Sequence, residues 1–272
     1  VLVVLGGTSG EREVSLDSGK ACINALKKKG YRVSTFDPKK KPLNLIDKNK
    51  TDIIFNALHG KDGEDGVAQS YFEYLKIPYT HSGVISSYNC MNKIISKEIF
   101  KKNMIKSPKY FVFEKKNYNI LKLKILIRKI KLKFPIVVKP ISEGSSIGVK
   151  ICKNIHDLNK SAKSLFNKYS ELIFEPFIGG QEIQVAVING FPLGAIELQP
   201  RRQFYDYKAK YLKSAKTKHI MPANLDKIKY NQALQIAKRA HNALGCKGVT
   251  RSDFKFFKNK FYLLEINTQP GM

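Results

Sequence analysis

Two acids and an amide near the end of the chain, Asp253, Glu265 and Asn267, carry the most specific chemistry in the sequence. With Lys258, Asn259 and Lys260 as a hairpin loop, Phe257 faces Phe261, and counting outward sets Asp253 opposite Glu265. Strand side chains alternate, so Glu265 and Asn267 share one face while Ile266 turns to the core. Like charges directly opposite one another are unfavourable unless a cation lies between them. An oxygen-only set of two carboxylates and an amide suits Mg²⁺, which binds through one or two carboxylates together with substrate phosphates. A solvated hairpin face with screened charges is the competing reading, and spacing alone leaves both open.

Lys139 closes the apolar run Ile136-Val137-Val138 ahead of Pro140 and the loop Ser142-Glu143-Gly144-Ser145-Ser146-Ile147-Gly148. A lysine at the end of a buried strand, beside a Gly/Ser-rich loop whose N–H groups add donors, is placed to meet a phosphate. An ordinary surface lysine is the alternative, since lysine is abundant here. The loop does not fit G-x-x-x-x-G-K-[ST], and no dinucleotide fingerprint is present. Glu11-Arg12-Glu13 follows the turn Gly6-Gly7-Thr8-Ser9-Gly10. These acids either favour the first turn of a helix, where the dipole stabilises them, or receive a substrate ammonium. His59 at a strand end is a structural or a site histidine, and the aromatic segment Phe204 to Tyr211 is a core edge or a closing flap.

The elements that must position these groups follow from periodicity. Residues 1–90 alternate short apolar runs with helical stripes, the pattern of βαβ units and an open parallel sheet. Strands are expected at Leu2 to Leu5, Tyr31 to Phe36 and Asp52 to Leu58, with a helix closed by Gly30 and another from Val67 to Leu75. Their carboxyl-end loops, holding Glu11 and His59, face a ligand. Residues 91–180 read as a small lid, with basic helices over Lys93 to Lys102 and Leu121 to Lys133 and strands at Tyr110 to Phe113 and Ile136 to Lys139. From 181 onward strands dominate. Ile183 to Ile188 and Leu193 to Leu198 flank an Asn189-Gly190 turn, and a helix from Tyr230 to Leu244 precedes the last hairpin.

Composition bounds the function class. The 272 residues include 43% hydrophobic and 11% aromatic side chains, enough for packed cores and against global disorder. No apolar run reaches the roughly 18–20 residues of a membrane helix, so no membrane partner is expected. Cys22, Cys90, Cys152 and Cys246 stand singly, which argues against a zinc site or a disulfide scaffold and for buried thiols. The net charge is +27, but only seven of the 49 basic residues are Arg. A scattered lysine excess is general composition rather than a designed groove, and no nucleic-acid partner is expected. The chain reads as cytoplasmic.

Taken together and in order, the motifs resemble the D-alanine–D-alanine ligase family. The resemblance rests on Gly6 to Ser15, Ala57-Leu58-His59-Gly60 with Gly63-Glu64-Asp65-Gly66, Lys139-Pro140 with Glu143-Gly144-Ser145-Ser146, and Phe204 to Tyr211. It continues through Gly245-Cys246-Lys247-Gly248, Arg251 and Asp253 to Leu264-Glu265-Ile266-Asn267-Thr268 and Pro270-Gly271-Met272. It implies an α/β chain with the ATP-grasp fold: an N-terminal open parallel-sheet domain (1–90), a central lid subdomain (91–180) and a C-terminal sheet subdomain (181–272). It further implies ATP-dependent joining of two D-alanines through a D-alanyl phosphate, for peptidoglycan, with two Mg²⁺ or Mn²⁺ ions, in a homodimer.

Residue by residue, the resemblance implies that Glu11 holds the first substrate's ammonium and links through Ser145 to Tyr211, with His59 beside that substrate. Lys93 and Lys139 would bind ATP phosphates, and Lys210 would reach the γ-phosphate. Glu175 and the backbone near Phe177 and Ile178 would read adenine, and Glu182 the ribose. Arg251 would stabilise the tetrahedral oxyanion, and Asp253, Glu265 and Asn267 would hold the metals. Tyr211 favours an amine acceptor over a hydroxy acid. Gln269, Lys208 and Arg201-Arg202 depart from the commonest family residues. Members continue past Pro-Gly-Met with a Ser/His-containing segment at the second-substrate site and a final helix, so the chain is expected to be part of a longer one.

Overall fold

The structure, a computed structural model, describes residues 1–200 and 217–271. Three sheets organise it. In the first, β1 (Leu2–Val4) lies between β2 (Ser34–Phe36) and β3 (Ile54–Asn56), all parallel. Leu2 and Val4 join Ile54, Leu58 and Phe72 on one face, while Val3 and Leu5 join Ala57 on the other. Burial on both faces explains why β1 reads as a continuous apolar run. Helix α1 (Arg12–Lys28) starts directly after the glycine turn, and α2 (Val67–Tyr74) follows the His59-Gly60 loop. The second and third strands are shorter than the apolar pattern predicts.

The central sheet is antiparallel, in the order β4-β7-β5-β6: β4 (Phe111–Glu114), β5 (Ile136–Pro140), β6 (Lys150–Cys152) and β7 (Glu171–Pro176). Leu123 and Ile127 of α5 (Ile120–Lys129) and Leu158, Ala162 and Leu165 of α6 (Ile155–Phe166) cover one face, with Phe111 stacked on Phe174 at 5.0 Å. Strand alternation then decides the other face. Ile136, Val138, Leu172 and Phe174 enter the helix-covered core, so Val137, Lys139, Ile173 and Glu175 point the opposite way. The helix expected to run on to Lys133 stops at Lys129, because Lys131 takes a positive φ of 54°.

The third sheet has the order β10-β9-β8-β11-β12: β8 (Gln181–Ile188), β9 (Phe191–Gln199), β10 (Lys218–Ile220), β11 (Val249–Phe257) and β12 (Lys260–Asn267). Helix α7 (Lys227–Ala243) lays Ala233, Ala237 and Ala240 against it, small residues at i, i+4 and i+7 that allow close approach. Two further helices, α3 (Val84–Met91) and α4 (Lys93–Lys102), join the same core through Cys90 and Phe100. Full burial of Phe100 contributes about 2 kcal/mol. Helix α4, which precedes the central sheet in sequence, is thereby anchored on the third one.

The last hairpin differs from expectation at its tip and agrees at its base. Its loop has two residues, Lys258 and Asn259, with φ of 47° and 61°, as a type I′ turn requires. Phe257 therefore pairs with Lys260, and Phe256 with Phe261. A β-bulge then makes Leu264 an extra residue, and below it Asp253 stands opposite Glu265. The expected three-residue loop is one residue too long, and the bulge absorbs that residue. All four cysteines are buried thiols, with the Cys90 and Cys246 sulfurs 3.6 Å apart. Among the described residues no helix is long and apolar enough to cross a membrane.

Candidate active site

A cleft lies between the central and third sheets. The outward face of β5 and β7 supplies Val137, Lys139 and Glu175, while Glu182, Asp253, Lys255 and Glu265 come from the third sheet and Lys93 from α4. Phe177 and Ile178 line it just beyond β7. The start of α4 is well determined. Asn92 caps it, its side-chain oxygen accepting from the N–H groups of Ile94 and Ile95 at 3.0 and 3.2 Å. The Lys93 N–H donates to Ile141 O at 2.9 Å, tying the helix to the end of β5.

Glu175 is 3% exposed and sits between two ammonium groups. Lys139 Nζ pairs with its Oε1, and Lys97 Nζ lies 3.0 Å from its Oε2. Burial alone would push the Glu175 carboxyl up, but the charges of Lys139 and Lys97 outweigh it and hold the group ionised. Burial pushes Lys93 and Lys97 down, opposed chiefly by Glu265 for the first and Glu175 for the second. Lys93 Nζ stands 3.8 Å from Glu265 Oε2 and donates to the Glu143 carbonyl of the 142–148 loop. Across the cleft Lys255 donates to Glu182 Oε2 at 2.7 Å.

At the hairpin base the Arg251 guanidinium forks onto Asp253, with Nε to Oδ1 at 2.7 Å and Nη2 to Oδ2 at 2.9 Å. Asn267 lies opposite Arg251 in the register and donates from Nδ2 to Asp253 Oδ2 at 3.3 Å. Among the described residues no three His, Cys, Asp or Glu groups converge as a closed metal cage. The set is two carboxylates and one amide, open toward the cleft, which matches a cation that shares its ligands with phosphates. Asp253 already has a cation beside it in Arg251. These residues fit Mg²⁺ by donor chemistry: hard oxygens, two negative charges and an open side.

On the N-terminal side, Ser145 Oγ donates to Glu11 Oε1 across 134 residues of chain, joining the first sheet's loop to the 142–148 loop. Ser145 and Ser146 hold φ of 50° and 61°, a tight double turn. Gly60, at φ +72°, leaves room for the carboxylate: a Cβ there would lie 2.5 Å from Glu11 Oε2. His59 is 5% exposed, with Nδ1 3.0 Å from Glu64 Oε1 and Nε2 3.1 Å from Ser18 Oγ. A smaller pocket lined by Glu64, Gly144, Lys93, Glu265 and Asn267 joins this region to the large cleft. Gln269 Nε2 donates to Gly63 O at 2.6 Å, tying the chain after β12 to the 60–66 loop.

The structure thus brings Lys93, Lys139, Glu175, Phe177, Ile178, Glu182, Asp253 and Glu265 into one cleft, with Arg251 and Asn267 on Asp253 and Glu11 and Ser145 at its N-terminal mouth. His59 has both ring nitrogens in use beside that mouth. Lys210 and Tyr211 lie outside the described residues. Sequence reasoning missed Lys97 and Lys255. Lys97 carried a usable signal, since it follows Lys93 by four and so shares its helix face.

Two antiparallel sheets holding a lysine-floored cleft, served by a parallel α/β unit, make up the ATP-grasp architecture, and comparison with known proteins places the chain within it. A D-ala D-ala ligase C-terminus model matches residues 99–272 and a D-ala D-ala ligase N-terminus model residues 37–82. The D-alanine–D-alanine ligase of Pelagibacter ubique (strain HTCC1062) is 56% identical over 274 residues, covering 100% of this chain and 88% of the relative. The crystal structure of the Bacillus anthracis D-alanine–D-alanine ligase superposes with a TM-score of 0.86 at 36% identity, over 100% of this chain and 87% of the other. The complex of that ligase with ATP gives 0.82 at 30% identity, over 99% and 86%. The VanG D-Ala:D-Ser ligase of Enterococcus faecalis gives 0.84 at 27% identity, over 99% and 90%. The chain belongs to the D-alanine–D-alanine ligase family.

Proposed function

We propose that the protein joins two molecules of D-alanine, using ATP, into D-alanyl-D-alanine for peptidoglycan synthesis. The observation that carries the reading is the convergence, on one cleft, of Lys93, Lys139 and the Asp253/Glu265 pair, with Ser145, the neighbour of Ser146 in the cleft wall, donating to Glu11. The first D-alanine's carboxylate attacks the γ-phosphate and releases ADP; the second substrate's amine attacks the resulting acyl carbon and displaces phosphate. Both steps gather negative charge, so the protein's task is to position and to neutralise.

Lys93 and Lys139 hold ATP phosphates, and Lys210, in the segment outside the described residues, reaches the γ-phosphate. Glu175 and the backbone near Phe177 and Ile178 face adenine, and Glu182 the ribose. Glu11 receives the first D-alanine's ammonium beside His59. Ser145 holds the Glu11 carboxylate and, with Tyr211, closes the site over an acyl phosphate that water would otherwise hydrolyse. Arg251 donates to the tetrahedral oxyanion, where loss of one such donor costs roughly 3–4 kcal/mol. Asp253, Glu265 and Asn267 are the residues for two Mg²⁺ or Mn²⁺ ions, which when bound neutralise charge on the transferring phosphoryl group.

We also propose that residues 1–90, 91–180 and 181–272 act as substrate-binding, lid and catalytic units, with α4 riding on the third. We propose further that the protein works in the cytoplasm, as a homodimer, without nucleic-acid or membrane partners. Phosphate release with ATP, Mg²⁺ and D-alanine, with mass detection of the product, tests the reading. D-alanine-dependent release with D-alanyl-D-alanine as main product is expected. No D-alanine-dependent turnover, or dominant ligation to another acceptor, overturns it.

A further inference from the structure

We infer that Lys97, which does not line the nucleotide cleft, is a positioning residue for ATP: it neutralises Glu175 so that the charge of Lys139 remains available to phosphate. The inference deepens the proposed function, since it rests on Lys139 meeting phosphate there. Among the described residues the cleft wall includes Glu175 and Lys139, and Lys97 stands behind them, 1% exposed. Its ammonium meets Glu175 Oε2 at 3.0 Å and the Pro108 carbonyl at 3.2 Å, with the Tyr110 ring centroid 5.5 Å away.

The charge count is what matters. Glu175 with Lys139 alone sums to zero, and a lysine held by a buried carboxylate is a poor phosphate ligand. A second ammonium on the far oxygen of Glu175 leaves the trio at a net +1, facing the cleft through Lys139. Stability does not call for that arrangement, because buried ion pairs are often matched or bettered by apolar side chains of similar size. Burial also works against the Lys97 ammonium, so a charge kept in so dry a place points to use of the charge itself.

The test is calorimetric binding of ATP and of adenosine to the full chain, reading the ratio of the two affinities. The wild-type ratio should be well above one; a ratio near one would overturn the reading of Lys139 as a phosphate ligand, and the inference with it. Lys97→Met should lower the ratio about tenfold, or 1.4 kcal/mol, with adenosine affinity within twofold, and Lys97→Arg should recover most of it. Lys97→Met combined with Glu175→Gln removes both charges and should return the ratio toward wild type, even where adenine contacts weaken both ligands alike. This double variant is charge-balanced, so it decides the matter should Lys97→Met alone fail to fold. A wild-type ratio in Lys97→Met, an equal loss for both ligands, or a double variant with a lowered ratio overturns the inference while leaving the proposed reaction standing.

Discussion

Gly60→Ala separates the cost of a strained backbone from the cost of a displaced substrate ligand. Position 60 holds φ +72°, where an alanine costs about 1–2 kcal/mol, or roughly 2–8 °C in Tm for a chain of this size. The added Cβ would also lie 2.5 Å from Glu11 Oε2, so the carboxylate must retreat by about 0.9 Å to reach ordinary contact near 3.4 Å. A shift of about 1 Å in a positioning group costs on the order of 100-fold in rate. Expected, then, is a loss of 30- to 100-fold, order of magnitude, in kcat/KM for D-alanine, with KM for ATP changed about twofold or less. Gly30→Ala is the matched control: φ is +84° and nothing lies within 4 Å of its Cβ, so it should lose similar Tm and keep its D-alanine kinetics. Steady-state phosphate release at varied D-alanine, with thermal unfolding of both variants, makes the comparison. Equal D-alanine kinetics in the two variants would refute the steric argument and the placement of Glu11 at the substrate.

Other consequences are simpler to state. Asp253→Asn should raise the Mg²⁺ concentration for half-maximal phosphate release about tenfold or more, roughly 1.4 kcal/mol; an unchanged titration would remove Asp253 from the metal set. Asn92→Ala deletes the cap that starts α4 and should cost about 1 kcal/mol in urea denaturation, with Asn92→Gly losing only a few tenths. The hydrogen bond from Arg12, against a smaller opposing effect of burial, holds the Asp37 carboxyl at about 2. Its unfolded value is near 4. The folded value is the lower one, so its contribution is complete above about pH 4 and is lost as pH falls toward 2. Tm measured from pH 2 to 5 should fall less steeply in Asp37→Asn than in wild type, and parallel curves would count against it.

The acid pair at the hairpin base was read correctly because the bulge at Leu264 cancels the miscounted turn; a two-residue loop alone would have set Asp253 opposite Leu264. A three-residue loop and the observed two-residue loop with a bulge at Leu264 place Asp253 opposite Glu265 alike, and neither feature is written in the apolar pattern. The Asn189-Gly190 turn was equally readable, since both residues tolerate positive φ. The Lys97–Glu175–Lys139 trio was not: spacing sets Lys97 on the Lys93 face of α4, but in a chain rich in lysine nothing marks that face as buried, and burial is decided by the packing of α4 on a sheet that begins about 80 residues later in sequence. Nor did a short apolar pattern announce α3, a helix whose buried positions include Ser86 and Ser87.

The hydrogen bond from Gln269 to the Gly63 carbonyl spans 206 residues. During synthesis the parallel sheet can pair as soon as residue 56 clears the ribosome, but the 60–66 loop then waits for its last partner. At roughly 5–20 residues per second that wait is on the order of 10–40 s. Through it His59 can already meet Ser18 and Glu64, but the pocket that Glu64 shares with Glu265 and Asn267 is completed only when the last hairpin emerges. A nascent chain stalled between residues 90 and 248 owns Glu11, His59 and Glu64 but lacks the Glu265-to-Thr268 wall of the pocket that Glu64 lines.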